Sequence, residues 1–242
     1  MMRENEERMA LSLQRIQGNI HEAASRSGRD DASVRIVAIS KGQSASSIQL
    51  AYDLGVRDFG ENRVEEGLEK IRELENLEGI VWHMVGHIQS RKAKEIPANF
   101  HMVHSVDRLK IARQLNRSSE EASVKLPVFI ECNTSGEESK SGWSVFDRAS
   151  WVSIYKDLSE IAILPNLRVQ GFMTMAPWVQ DDAIIRTSFR RLREFRDDYG
   201  EYSGLDWKDL SMGMTDDYAI AVEEGSTVVR IGRAIFGERQ TH

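Results

Sequence analysis

VRIVAISKGQSASSIQLAYDLGVRDFGEN, residues 34–62, reads as strand, helix, strand. A β-branched apolar run from Val34 to Ser40 gives way to a polar turn. Ile48, Tyr52 and Leu54 then recur at helical spacing, and a second short run covers Val56–Gly60. The alternation continues through runs at Ile80–Gly86, Met102–Ser105, Pro127–Asn133, Leu167–Thr174, Leu210–Met212 and Thr227–Ile231. Helical patterns such as Ile185, Phe189, Leu192 and Phe195 separate them. Repeated strand–helix–strand units imply right-handed crossovers and a parallel sheet. Eight of them over about 210 residues predict an α/β fold, a single (β/α)8 TIM-type barrel. The second, fourth and seventh runs are short, and loss of one would leave an open doubly wound sheet.

Ahead of this unit, residues 4–26 carry Met9, Leu13, Ile16 and Ile20 on one stripe, an extra N-terminal helix that Gly28 stops. Its polar face mixes both signs, which suits a packing element better than a membrane binder. No Pro- or Ser-rich linker divides the chain, so residues 1–242 are read as one domain, with 1–30 forming the helix packed on the barrel. The 242 residues carry a net charge of −6, which gives no long-range attraction to nucleic acid or to anionic membranes. The single Cys132 cannot form an intrachain disulfide, the N-terminus is too charged for a signal peptide, and no apolar run reaches membrane-span length. The expected location is the cytoplasm.

In a barrel of this type the working face lies at the C-terminal ends of the strands. Lys41 closes the first strand there, where an amine at the mouth can attack an aldehyde; the same position also suits a lysine that merely points to solvent. The loops after strands seven and eight, where such barrels bind phosphate, read Ser211-Met212-Gly213-Met214-Thr215-Asp216-Asp217 and Arg230-Ile231-Gly232-Arg233. Glycines at strand–helix junctions let backbone N–H groups approach a phosphate. Thr215-Asp216-Asp217 is equally an ordinary helix cap. Strand alternation puts Val229 and Ile231 on one side and Val228, Arg230 and Gly232 on the other. An arginine there suits an anionic or accepting ligand, or a salt bridge to a neighbouring strand. Asn62 adds an amide to the same rim.

Six strings in order, VAISK (37–41), FGENRVEEGLEK (59–70), WHMVGHIQSRK (82–92), ESKSG (138–142), SMGMTDDYAIAVEEGST (211–227) and VRIGRAIFG (229–237), resemble the pyridoxal 5′-phosphate (PLP) homeostasis proteins. That family shares a barrel with the N-terminal domain of alanine racemase. The resemblance implies PLP carried as an internal aldimine on Lys41. Ser211, Gly213, Met214, Thr215, Gly232 and Arg233 would line the phosphate pocket, with Asn62 near the ring and Arg230 facing the pyridine nitrogen. An arginine there weakens PLP as an electron sink, consistent with a protein that manages vitamin B6 supply without catalytic turnover. PLP-dependent apo-enzymes or B6 salvage enzymes are the implied partners. The sequence departs from the family at Gly42-Gln43-Ser44, where a Thr-Lys-Pro-like stretch with a second lysine is common. Lys140 matches the family's loop lysine, a candidate for secondary PLP contact or a plain solvated loop residue.

The alternatives are a PLP-dependent amino-acid racemase working from one barrel and a Schiff-base aldolase for phosphosugars. No second acid or base opposite Lys41 is evident in the sequence, and no second domain is recognised. No metal ligand set is expected: His83 and His87 straddle a strand end without a third ligand, and His101 and His104 lack a partner motif. The arginines at 186, 190, 191, 193 and 196 read as the solvated face of their helix.

Overall fold

The computed structural model describes residues 2–237. Helix α1 (Met2–Arg26) leads into β1 (Arg35–Ile39), α2 (Ala45–Asp53), β2 (Asp58–Glu61), α3 (Val64–Glu73) and β3 (Val81–Met84). A 3-10 turn at Ser90–Glu95, in place of an α-helix, crosses to β4 (Met102–Val106). Next come α4 (Leu109–Glu121), β5 (Leu126–Asn133), the two-residue β6 (Trp143–Ser144) and α5 (Trp151–Ala162). The chain continues with β7 (Leu167–Met173), α6 (Asp182–Ser203), β8 (Asp209–Ser211), α7 (Tyr218–Glu223), β9 (Val228–Ile231) and α8 (Arg233–Phe236).

Parallel pairings run β1-β2-β3-β4-β5-β7-β8-β9, and β9 returns to β1, with Arg35 opposite Val228 and Ala38 opposite Ile231. The eight strands therefore close into the expected barrel, each within two residues of its predicted run, and no sheet edge is left open in the ring. β6, which the sequence did not reveal, lies outside the ring on the tip of β5.

Alternation along each strand sorts side chains into two sets. Val37, Phe129, Met173 and Val228, flanked by Ile39 and Met102, form a small apolar plug within the ring. Val128, Ile130, Val229 and Ile231 belong to the larger core between strands and helices. The α1 stripe Met9, Leu13, Ile16 and Ile20 is buried, and the helix lies on α7 and α8, where Asn19 donates to the Tyr218 hydroxyl at 2.7 Å. Each such isoleucine or leucine contributes roughly 1.5–3 kcal/mol on burial. Helix α1 thus backs the wall that carries the two glycine loops. Among the described residues, no helix is long and apolar enough to cross a membrane.

The arginines of α6 differ from expectation. Arg186, Arg190 and Arg193 converge on the carboxylate of Glu224, only 5% exposed, just after α7, and Arg191 donates to the Thr134 carbonyl. A helical period showed one polar face; it could not show that an acidic turn docks on that face.

Candidate functional site at the barrel mouth

Lys41 follows β1 and is half-buried. The peptide groups on either side of it are gripped from α3. The buried Lys70 ammonium donates to the Ser40 carbonyl at 2.7 Å, to Glu61 Oε1 at 2.8 Å and to Glu66 Oε1 at 2.6 Å. Glu66 Oε1 also accepts the Gly42 N–H at 2.5 Å, and the Ser40 hydroxyl donates to Glu61 Oε1 at 2.6 Å. Gly42 turns at φ +69°, a conformation that favours glycine, so its presence in place of a bulkier residue has a local reason. Burial pushes the Glu61 carboxyl up despite Lys70, and its Oε2 has no hydrogen-bond partner. Burial also raises Glu66, but the hydrogen bonds from Lys70 and Gly42 outweigh it and hold its carboxyl below the usual range.

Arg230 projects from β9 into the barrel and is 5% exposed. Its guanidinium donates to the Ser211 carbonyl (2.7 Å), the Ser211 hydroxyl (2.6 Å) and the Thr174 carbonyl (2.8 Å). Burial lowers it to about 10, still cationic at neutral pH. Behind Ser211 a chain of side chains crosses the interior. The Ser211 hydroxyl meets His104 Nδ1 at 2.8 Å, His104 Nε2 meets His83 Nδ1 at 2.9 Å, and His83 Nε2 meets Asp58 Oδ1 at 2.9 Å. Asp58 accepts from His83 Nε2, and with both imidazoles neutral each remaining link then runs one way, from the Ser211 hydroxyl through His104 to His83. That direction requires neutral imidazoles. Burial lowers His83, against the pull of Asp58, and puts His104 well below the usual histidine value. His83 and His104 are therefore partners, which a separation of 21 positions concealed. No cluster of three metal-ligating side chains occurs among the described residues.

The glycine loops flank this interior. Gly213 sits at φ +96°, and a Cβ there would meet the Ala221 Cβ at 2.6 Å and the Tyr218 Cα at 2.9 Å. The Met214 N–H is taken by Asp217 Oδ1 at 2.5 Å, so Asp217 ties the loop and does not cap its helix. The Thr215 hydroxyl and the Asn62 amide make no hydrogen bond with any described residue. Arg233 pairs with Asp216 at 2.5 Å beside an open depression of about 550 Å³ that Arg15, Asn19 and Gly237 also line. Ser211 is fully buried, and its hydroxyl accepts from the Arg230 guanidinium.

Two features lie on the opposite rim. Lys140 is held by Glu137 Oε2 at 2.6 Å and by the Met175 and Ala176 carbonyls at 3.2 and 3.0 Å. Glu131 projects inward from β5, 5% exposed, and burial together with Asp107 raises it to about 7. One charged residue inside the run VFIECN, in phase with the inward Phe129, was the signal that could have found it.

The alanine racemase N-terminal domain profile matches residues 11–240. The chain is 42% identical over 231 residues to the pyridoxal phosphate homeostasis protein of Pseudomonas aeruginosa, covering 96% of each. It is 37% identical to that of Escherichia coli over 96% of this chain and 97% of the relative. Among solved structures, PipY of Synechococcus elongatus with PLP bound superposes with a TM-score of 0.78 at 32% identity, over 90% of this chain and 100% of PipY. Alanine racemase from Clostridium difficile gives 0.73 at 15% identity, over 97% of this chain and 60% of the racemase, a likeness of fold.

Proposed function

The chain belongs to the alanine racemase N-terminal domain family and, within it, to the pyridoxal phosphate homeostasis proteins; from that membership we propose that it binds PLP covalently through Lys41 and serves intracellular vitamin B6 supply. The observation that carries this reading is the pairing of a lysine clamped at the barrel mouth with a buried arginine that keeps donors to spare. Arg230 has five N–H groups, of which three are used.

The residues present fit the cofactor. Lys41 offers the amine for its aldehyde, and Arg230 can donate to a ring nitrogen that stays unprotonated. Thr215 and Asn62 hold unpaired polar groups for the phosphate and the ring edge. The backbones of Gly213, Gly232 and Arg233 complete the phosphate pocket in this proposal. Met214 contributes only when its N–H leaves Asp217. Ser211 acts by positioning Arg230. When bound, PLP supplies an aldehyde that condenses with primary amines. Arg230 and its chain of neutral imidazoles disfavour a protonated ring and so disfavour carbanion chemistry, which agrees with a carrier. Recipients would be PLP-dependent apo-enzymes or salvage enzymes in the cytoplasm, where a lysine amine can take the aldehyde over.

The test is an absorbance spectrum of the purified protein supplied with PLP, before and after borohydride, for wild type and Lys41→Ala. A visible band that reduction abolishes, with the mutant colourless, is expected. Absence of a band in the wild type would sink the assignment. Racemisation of alanine or serine at an ordinary enzymatic rate, lost in Lys41→Ala, would replace the carrier reading with the racemase one.

A further inference from the structure

In the ring β1-β2-β3-β4-β5-β7-β8-β9, β5 lies four strands from β1 in either direction, so it forms the wall opposite Lys41. Glu131 stands on that wall. It is two residues beyond Phe129, which belongs to the inner plug, and on the same face, one layer nearer the mouth; its neighbours Ile130 and Cys132 point into the outer core. It pairs laterally with Met173, a residue without a polar group to offer. No described residue gives the Glu131 carboxyl a hydrogen bond, although the residue is 95% buried.

Neither Glu131 oxygen is among the buried unpartnered polar atoms of the described residues, so the carboxyl keeps an opening toward the mouth where a side chain serving only the fold would be paired. The charged groups around Glu131 are committed elsewhere. Asp107, at the end of β4, is bridged by Arg108 at 2.6 and 2.7 Å and by His87 at 3.0 Å. Arg230 spends three of its five N–H groups on Ser211 and Thr174 and gives none to Glu131, and His104, on the inner face of β4, is neutral. Cys132, the adjoining residue, is held as a thiol by burial. Glu131 thus faces the mouth as an acid–base group with no internal partner, across from the amine of Lys41.

We propose that Glu131 is an acid–base residue for amine exchange at Lys41, accepting the proton of a primary ammonium that enters the mouth. This rests on the reading of Lys41 as the cofactor-bearing lysine. An ammonium has no lone pair and cannot attack. Transfer of its proton to the Glu131 carboxylate leaves a neutral amine and a carboxylic acid. With the cofactor on Lys41, the neutral amine would add to the carbon held by Lys41, its two N–H protons would pass to the Lys41 nitrogen as the bond to Lys41 breaks, and the proton held by Glu131 would return to the released amine as an ammonium. No electron is gained or lost, and no co-reactant is needed. The ligand class is a primary amine, either a free amino acid or the lysine side chain of a protein. A carboxyl that titrates near 7 exchanges protons in both directions at neutral pH.

The experiment uses wild type, Glu131→Gln and Glu131→Asp loaded with PLP, each first shown to have a visible band that borohydride abolishes. Because the product imine absorbs where the starting one does, the share of chromophore still fixed to the protein is read by borohydride quench and protein mass at set times after mixing with glycine or with Nα-acetyl-lysine, on both sides of pH 7. The wild-type rate should climb across pH 7 beyond the ionisation of the added amine. Glu131→Gln should be roughly 100-fold slower and lack that step, and Glu131→Asp should retain it. Dependence on Glu131 with either probe supports the proposal and tells which amine source the mouth accepts. Equal rates and profiles in wild type and Glu131→Gln would overturn it while leaving Lys41 as the anchor; a colourless wild type would overturn both. A readout free of cofactor is the 13C-carboxyl spectrum of unloaded, glutamate-labelled protein. One resonance, missing from both variants, should titrate near 7, and its absence would also refute the proposal.

Discussion

Lys70 Nζ donates at 2.7 Å to the carbonyl oxygen of Ser40, so a buried lysine of α3 fixes the peptide that presents Lys41. The same ammonium carries Glu61 and Glu66, and Glu66 in turn fixes the N–H of Gly42. The mouth lysine is held through its backbone on both sides.

Lys70→Met should therefore act on stability and on the cofactor together. Removing the ammonium leaves the Glu61 carboxyl buried beside no cation, at a cost of about 3–5 kcal/mol. Denaturant unfolding reads that loss, and a PLP titration should show weaker retention. A variant with an unchanged unfolding midpoint would show that the clamp carries no load.

Gly213→Ala should strain the first glycine loop. The φ of +96° and the 2.9 Å approach to the Tyr218 Cα leave a methyl group no room unless α7 shifts. The expected cost is about 1–3 kcal/mol, read by thermal unfolding without ligand. Affinity for PLP should fall as well, and wild-type affinity in a destabilised Gly213→Ala would separate the loop from the phosphate.

Thr215→Ala combined with Arg233→Ala should weaken PLP retention with little effect on folding. The Arg233–Asp216 pair is exposed, and such pairs are worth about 0–1 kcal/mol. Equilibrium dialysis against PLP is the check, and unchanged affinity would rule out the phosphate assignment.

The interior histidines set an acid limit on stability. Both are lowered below the ordinary value of 6.5, so below it the unfolded chain binds more protons than the folded one. Their contribution is complete above pH 6.5 and is lost as pH falls through the window beneath it, by up to about 1.4 kcal/mol per pH unit for each ring. Glu131 has the opposite sign. Raised from 4.5 to about 7, it adds stability that is complete below 4.5 and is lost as pH rises through 7. Between those values Glu131→Gln should steepen the rise of stability with pH, and His104→Asn should flatten it. Unfolding free energies at three pH values in that interval would reveal parallel curves if either assignment is wrong.

The barrel could be read from sequence because its strands are β-branched runs that repeat at crossover spacing, and a lysine at the end of the first run falls at the mouth by topology alone. Side-chain partnerships were harder to see. His83 and His104 meet only because the register sets His83 beside Met102, which brings the residue two further on within reach. Glu61, Glu66 and Lys70 lay within a string recognised by resemblance, but their grip on Ser40 and Gly42 depends on how α3 docks. Ser211 was assigned to the phosphate from its place in a glycine loop, and its links to Arg230 and His104 depend on strand alternation across the ring. Glu131 was missed: a charge in an apolar strand was its one signal, and only the closed ring puts it opposite Lys41.

Closure between β1 and β9 has a consequence for biosynthesis. Arg35 emerges from the ribosome early and waits for Val228 before its ladder can form. At about 5–20 residues per second that interval lasts roughly ten to forty seconds. Throughout it, Lys41 stands at a mouth that lacks Arg230 and the second glycine loop. Nascent chains stalled before Val228 should accordingly take up no PLP, and charging of this protein becomes an event that follows translation.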